Sequence, residues 1–292
     1  MKKIYYVVIL LLIVLGFGAG FYLKDTVLKT YDNFGKNVEN FQKTDLGNTI
    51  QSVAKKIITP GPLNIGGNSN SVVLVKAKII AQTNIQRYDN GALPPLVENA
   101  SLNAAALAKA QDILKNQYFE HISQSGIDPG TLVKTYGYEY IVSGENLILG
   151  NFSSEQEVVQ NWMDSPGHRA NILNDRFIDI GVAMVKGTYK GQSVWVGVQE
   201  FGLPLSLCQS PSFTLKTEID DNKIKLDQLS AQIDTKRSEI NNTNPKSPKY
   251  NALVDQYNAL VNEYNQLAQN TKNLILQYNN QINIFNQCVA GQ

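Results

Sequence analysis

A chain of 292 residues has room for about two ordinary domains. Its formal net charge of +1 excludes the global field that would draw it to nucleic acid, and no nucleic-acid partner is expected. Two cysteines are too few for a disulfide-scaffold domain or a cysteine-rich zinc site.

Ile4 to Leu23 carries no charged residue. Twenty helical residues span about 30 Å, the thickness of a bilayer core. Lys2 and Lys3 precede the run, so the positive-inside rule predicts a signal anchor over residues 1–23 with the rest of the chain extracytoplasmic. The alternative is a cleaved signal peptide and a secreted chain, with Gly18 and Gly20 as small residues near a cleavage point. No cysteine follows the run, which excludes a lipoprotein anchor.

Residues 24–71 read as a stalk and linker. Val27, Tyr31, Phe34, Val38 and Phe41 suit a weak amphipathic helix. Pro60-Gly61-Pro62, Gly66-Gly67 and Asn68-Ser69-Asn70-Ser71 then punctuate a linker.

Residues 72–205 read as the first domain. A helix is expected from Val72 to Arg87, then a turn at Asn90-Gly91 and Pro94-Pro95. Ser101 is the expected cap of a second helix through Leu107 and Leu114. His121 falls just past its end. Asp128-Pro129 opens a short helix ending near Gly137. Ser153-Ser154-Glu155-Gln156 has the form of a capping box for a helix carrying Val158, Val159 and Trp162, which Pro166 ends. Ile178–Val185 and Val194–Val198 read as an antiparallel hairpin. Helices followed by a late hairpin predict an α+β fold.

The two histidines of the chain, His121 and His168, lie 47 positions apart, too far for a single-helix metal motif. On spacing alone each reads as a structural residue. Their settings are more distinctive. Tyr118-Phe119-Glu120-His121, then Gly144-Glu145-Asn146-Leu147, then Trp162-Met163-Asp164-Ser165-Pro166-Gly167-His168-Arg169 resemble, in this order, the bacterial branch of the CAP superfamily (cysteine-rich secretory proteins, antigen 5 and pathogenesis-related 1, also called the SCP domain). The resemblance runs from about Val72 to Gly202. It implies an α-β-α sandwich with an open cleft whose floor gathers His121, Glu145 and His168. Neutral imidazoles beside a carboxylate could hold Zn²⁺ or another divalent cation. Relatives outside the bacteria place a second glutamate three residues after the tryptophan. Ser165 stands there in this chain, leaving Asp164 as the candidate fourth cleft residue. Asn146 and Arg169 read as structural members of the motifs.

From residue 206 to 292 the pattern is helical. Ile219, Leu226, Ile233 and Ile240 recur every seven residues, with Leu215 and Leu229 between. A breaker-rich loop from Asn241 to Pro248 follows. A second set runs Tyr250, Leu253, Tyr257, Leu260, Tyr264, Leu267, Thr271, Leu274, Tyr278, Gln281, Phe285. The spacing predicts an antiparallel coiled-coil hairpin with arms of about 45 and 58 Å. Cys208 and Cys288 lie in phase with the two seams at its open end, so a Cys208–Cys288 bridge is expected. Two free thiols and an intermolecular bridge are the alternatives.

No catalytic residue is marked, and no nucleophile motif is present. The leading functional expectation is a membrane-anchored extracytoplasmic binding module for a lipid, an envelope polymer or a partner protein. A metal-dependent hydrolase using His121, His168 and Glu145 is the second reading. The third is an interaction protein working through the hairpin.

Overall fold

The computed structural model describes residues 55–67 and 72–291. The expected anchor over Ile4–Leu23 and the expected helix through Phe41 lie outside the described residues. Among the described residues, no helix is long and apolar enough to cross a membrane.

These residues divide into two compact units. One is Ser210–Gln287, and the other holds the preceding described residues together with Cys288 onward. The larger unit has six strands: β1 (Lys56–Ile58), β2 (Leu63–Gly66), β3 (Val97–Glu98), β4 (Tyr140–Gly150), β5 (Asp179–Tyr189) and β6 (Gln192–Pro204). Its helices are α1 (Lys76–Asp89), α2 (Ala100–Asn116), α3 (Pro129–Thr135), α4 (Glu155–Asp164) and α5 (Pro166–Ile172). The sheet runs β1-β4-β6-β5-β3, and β2 also pairs with β4. β4–β6 and β5–β6 are antiparallel, whereas β1, β2 and β3 pair in parallel.

Strand alternation sorts the sheet into two faces. Leu147, Leu149, Val194, Val196 and Val198 pack against Ala106, Ala110 and Ile113 of α2. Gly181 lets α2 lie directly on β5, because a Cβ there would stand 2.1 Å from the Leu102 carbonyl carbon. On the opposite face Gln199 reaches Thr83 of α1, and Asn146 reaches the backbone of α5. The result is the expected α-β-α sandwich.

Several sequence expectations need correction. The linker reading fails over Lys56–Gly66, which forms β1 and β2 on the edge of β4. Prolines and glycines there mark the crossing between two short edge strands, where few ladder bonds are needed. Strand β4 itself lacked a sequence signal, because it is buried at every position and shows no polar alternation. Asn99, not Ser101, caps α2, accepting from the amides of Ser101 and Leu102. The first helix begins at Lys76 rather than Val72. Pro166 ends α4 as expected but also opens α5 as a pre-set first helical residue, so His168 is helical. The capping box is present as Ser154, which accepts from Glu157 N, and Glu157, which accepts from Ser153 N.

The smaller unit is a helical hairpin of α6 (Phe213–Asn241) and α7 (Pro248–Ala290). At 1.5 Å per residue the arms are about 44 and 65 Å long, the second exceeding expectation because Pro248 starts the helix. On α6 Ile219, Leu226, Leu229, Ile233 and Ile240 are buried as read, whereas Leu215 is only half-buried and Asn222 is buried as well. On α7 the tyrosine positions hold, with Tyr250, Tyr257 and Tyr264 buried, but their interleaved partners are Val254, Val261, Ala268 and Ile275. Leu253, Leu260 and Leu267 flank the core half-buried. The sequence spacing of 3 and 4 permits either assignment. The central partners are β-branched or small, and the leucines beside them flank the seam.

Cys208 and Cys288 are bonded, with Cα atoms 5.7 Å apart. The link closes a loop of 80 residues, for which chain entropy gives about 4.5 kcal/mol. Non-reducing peptide mapping should recover the 208–288 pair intact, and Cys208→Ser should lower the chemical denaturation midpoint. The revised seam predicts that Ile275→Ala costs about 2–4 kcal/mol and Leu274→Ala under about 1.5 kcal/mol, read by denaturant melts followed by helicity. Equal losses would restore the leucine seam.

Candidate functional site

The site lies at the edge of β4, where β1 and β2 leave a gap. β1 pairs as far as Ile58 with Gly144, and β2 resumes at Leu63 with Ile148. Glu145, Asn146 and Leu147 occupy the β4 side of that gap.

Glu145 is the centre. Its side chain is fully buried, and one oxygen lies 2.5 Å from His121 Nδ1. His121 Nε2 faces the carbonyl of Pro60 in the β1–β2 crossing. Both neighbours are hydrogen-bond acceptors, so each contact is satisfied when the ring nitrogen that makes it donates. His121 is held in place from behind by Lys109 of α2. This buried ammonium donates to the His121 carbonyl at 2.5 Å and to Tyr118 Oη at 3.2 Å. Tyr118 in turn donates to Asp112 at 2.5 Å. Burial lowers the Lys109 pKa, while Glu145 and Glu200 oppose that shift. Burial and Asp112 push the Tyr118 phenol far above its ordinary range.

The second carboxylate of the cluster is Glu200. The β4–β6 register places it directly opposite Glu145, and both are fully buried. Facing positions on adjacent strands stand about 5 Å apart at Cβ. Two buried carboxyls so placed cannot both ionise. Burial raises the Glu200 pKa well above 4.5, and Glu145 adds to the rise while Lys109 opposes it. Glu200 is therefore the carboxyl of the pair that burial and its neighbour push upward.

His168 lies on α5, 1% exposed. Ser165 Oγ is 2.8 Å from its Nδ1. Burial, then the facing charge of His121, lower its pKa from 6.5 to about 4, with a smaller opposing contribution from the Leu147 backbone. Its carbonyl accepts from Asn146 Nδ2 at 3.2 Å. Asn146 also donates to Gln199 and accepts from Asn171. This amide chain ties α5 to β4 and β6, the structural role expected for Asn146. Arg169 pairs with Asn90 Oδ1 at 2.7 Å rather than with a carboxylate. A different arginine holds the far end of α5: buried Arg87 donates to the carbonyls of Ile172 and Asn174.

The expected residues thus divide. The structure brings His121 and Glu145 into contact and places His168 at the same edge. Asp164 stands apart, exposed and bonded to Gln160. It points to solvent because the apolar stripe of α4 is Val158, Val159, Trp162 and Met163. Glu200 takes the place given to Asp164. Its signal was available: it continues the inward alternation of Val194, Val196 and Val198, a charge where an apolar residue belongs. The metal reading is not supported by the geometry. Among the described residues, no group of three or more His, Cys, Asp and Glu side chains is arranged to hold a metal ion. His121 commits both nitrogens elsewhere.

Comparison with known proteins gives a partial match. The model of the cysteine-rich secretory protein family, CAP, matches residues 82–201. The uncharacterized protein YkwD of Bacillus subtilis (strain 168) is 39% identical over 126 residues, 43% of this chain and 47% of that protein. The uncharacterized membrane protein YlbC of the same strain is 26% identical over 112 residues, 38% of this chain and 32% of that one. The chain therefore spans less than half the length of these curated relatives. Among solved structures, an extracellular protein containing an SCP domain from Bacillus anthracis str. Ames is 28% identical, with a TM-score of 0.38, covering 44% of this chain and 39% of that one.

The site has a signed pH dependence. The lowered His168 pKa means the unfolded chain binds the extra proton first, so stability present above about pH 6.5 is lost as pH falls toward 4. A shift of this size corresponds to about 3 kcal/mol at most. Glu200 works the other way: its contribution is full below about pH 4.5 and fades as pH rises through its raised pKa. Glu200→Gln keeps the neutral form at every pH. The variant should melt close to the parent at pH 5 and above it by a margin that widens to pH 9. A margin that shrinks with pH would show that Glu200 is ionised in the folded chain.

Proposed function

We propose, from the premise that this chain belongs to the bacterial-type CAP superfamily through residues 82–201, that it is an extracytoplasmic binding module. The observation that carries the reading is the engagement of His121. A hydrolytic base needs a free nitrogen aimed at substrate or water. Here one nitrogen is held by Glu145 and the other by the Pro60 carbonyl. With the Pro60 crossing seated, His121 has no free nitrogen; with it displaced, Nε2 is available to hold a ligand carbonyl while Glu145 keeps Nδ1. The Cys208–Cys288 bond supports an oxidising compartment. The uncharged run Ile4–Leu23 supports a membrane anchor. The envelope then supplies the ligand, as a polymer, lipid or protein partner.

Hydrolysis has one observation in its favour, the contact of Ser165 with His168. A base with a pKa of about 4 removes a serine proton poorly at neutral pH, where an efficient base titrates near 7. Incubating the purified full chain with isolated cell-wall polymer, and separately with liposomes, tests the reading. The expected result is saturable co-sedimentation with one of them, equal with chelator or added Zn²⁺, and no release of soluble fragments. Turnover that disappears in His168→Ala would replace the binding module with an enzyme.

A further inference from the structure

We infer that the edge of β4 is a binding groove for an extended peptide, and that the chain's own segment Lys55–Gly67 is its tethered occupant. This rests on the binding reading above and names its ligand class.

Glycines on three different elements line the segment, and two of them carry the argument. Gly130 of α3 would place a Cβ 2.0 Å from the Tyr140 hydroxyl and 2.4 Å from Ile57 Cδ1, so that glycine serves the body of the domain as well as the segment. Gly167 of α5 would place one 2.6 Å from Pro60 Cβ. Gly150 of β4 would place one 2.8 Å from the Gly66 carbonyl oxygen. A side chain at Gly167 or Gly150 would meet the segment first, so the body of the domain is cut away where Pro60 and Gly66 lie. The occupant reads the groove in order. The Lys55 ammonium pairs with Glu139 at 2.7 Å. Ile57 enters the apolar cluster of Leu132, Val133, Tyr138 and Tyr140. Pro60 crosses the site and gives its carbonyl to His121. Gly66 then gives its carbonyl to Asn151 N at 2.7 Å. Between the two ends, β1 and β2 pair in parallel with β4 in the manner of an added strand.

The segment is also built to leave. No residue of Lys55–Gly67 is fully buried, whereas every residue of β4 is. Pro60 and Pro62 bring no amide hydrogen to the gap, so Glu145 to Leu147 gain no ladder bond from them. Edge strands with few buried contacts open at lower free energy than the core. The segment also precedes the region that matches the family model, which begins at residue 82. The His121 contact is therefore a ligand contact made in cis. A competing peptide would carry a β-branched residue three positions before a proline. The tether holds the local segment at an effective concentration in the millimolar range, so a free peptide binds weakly until the segment is loosened.

The experiment uses the full chain and a fluorescein-labelled peptide with the sequence of Lys55–Gly67. Ile57→Asp in the chain places a carboxylate in the apolar cluster and releases the segment. That variant should bind the peptide at least about tenfold more tightly than the parent by fluorescence polarisation. A peptide carrying the same Ile57→Asp change should not bind. Amide hydrogen exchange on the parent gives a second reading independent of the variant's folding. Amides of residues 56–66 should exchange well before those of β4 and β6. Exchange of the segment only with global unfolding, or a folded Ile57→Asp chain that ignores the peptide, overturns the inference. An Ile57→Asp chain that elutes as a dimer assigns the groove to a second copy instead, which also overturns it. Loss of peptide binding with envelope binding intact sinks this inference alone, and loss of both sinks the binding module with it.

Discussion

Two glutamates facing each other across neighbouring strands, both cut off from water, set the terms for the rest of the larger unit. Glu145 and Glu200 occupy one register pair of β4 and β6. An ionised pair at that spacing would repel strongly in a low dielectric. The fold answers with a raised Glu200 pKa, one imidazole against Glu145, and the Lys109 ammonium nearby. Each answer fixes an element. The imidazole needs the chain to turn back after α2, which Gln117 allows by adopting a left-handed conformation at φ +57°. The ammonium needs α2 flat on the sheet, which Gly181 permits. Slipping β6 by one residue would send Glu200 to the opposite face and leave Glu145 without its facing carboxyl.

The opposite face is held by uncharged groups. Asn171, Asn146, Gln199 and Thr83 form a linear amide and hydroxyl chain between α5, β4, β6 and α1. Neutral hydrogen bonds suit that position because they carry no penalty for unpaired charge. The motif Gly144-Glu145-Asn146 therefore serves both faces of one strand. Its glutamate feeds the charged cluster and its asparagine feeds the neutral one. Its glycine leaves room for Phe177, whose ring stacks on Phe201 at 5.4 Å.

Legibility in the sequence followed the kind of signal each feature leaves. Heptads and caps are local, so the helical hairpin, α3 and α4 could be read directly. The disulfide was readable because a single loop returns the second arm to the base of the first; helix phase applies only to Cys288, since Cys208 precedes α6. The sandwich and the meeting of His121 with Glu145 came from a family resemblance, since 24 positions of chain separate them and no periodicity links them. Glu200 was missed because cross-strand partnership depends on register, which the short apparent hairpin did not fix. β1 and β2 were missed because Pro and Gly punctuation looks the same in a linker and in a segment that crosses a gap. The exchange of Leu253 for Val254 on α7 shows the same limit: a 3-4 spacing names a stripe, but side-chain volume decides which half of it is central.

The location of the charged cluster argues that it serves a surface. A sheet needs no ionisable groups in its core, and apolar residues of similar size stabilise such positions at least as well as buried ion pairs. Along β6 this chain follows that rule with Val194, Val196 and Val198, then breaks it at Glu200. The break coincides with the stretch of β4 between the β1 and β2 pairings. It also coincides with the only described histidines. A structural cluster could sit anywhere on the sheet. One placed where the outer edge is interrupted, with an imidazole reaching past the strand to a carbonyl of the crossing segment, has its polar end directed outward. The cost of burying four ionisable groups is thereby concentrated where a backbone can be recognised, and the Pro60 carbonyl is the group recognised there.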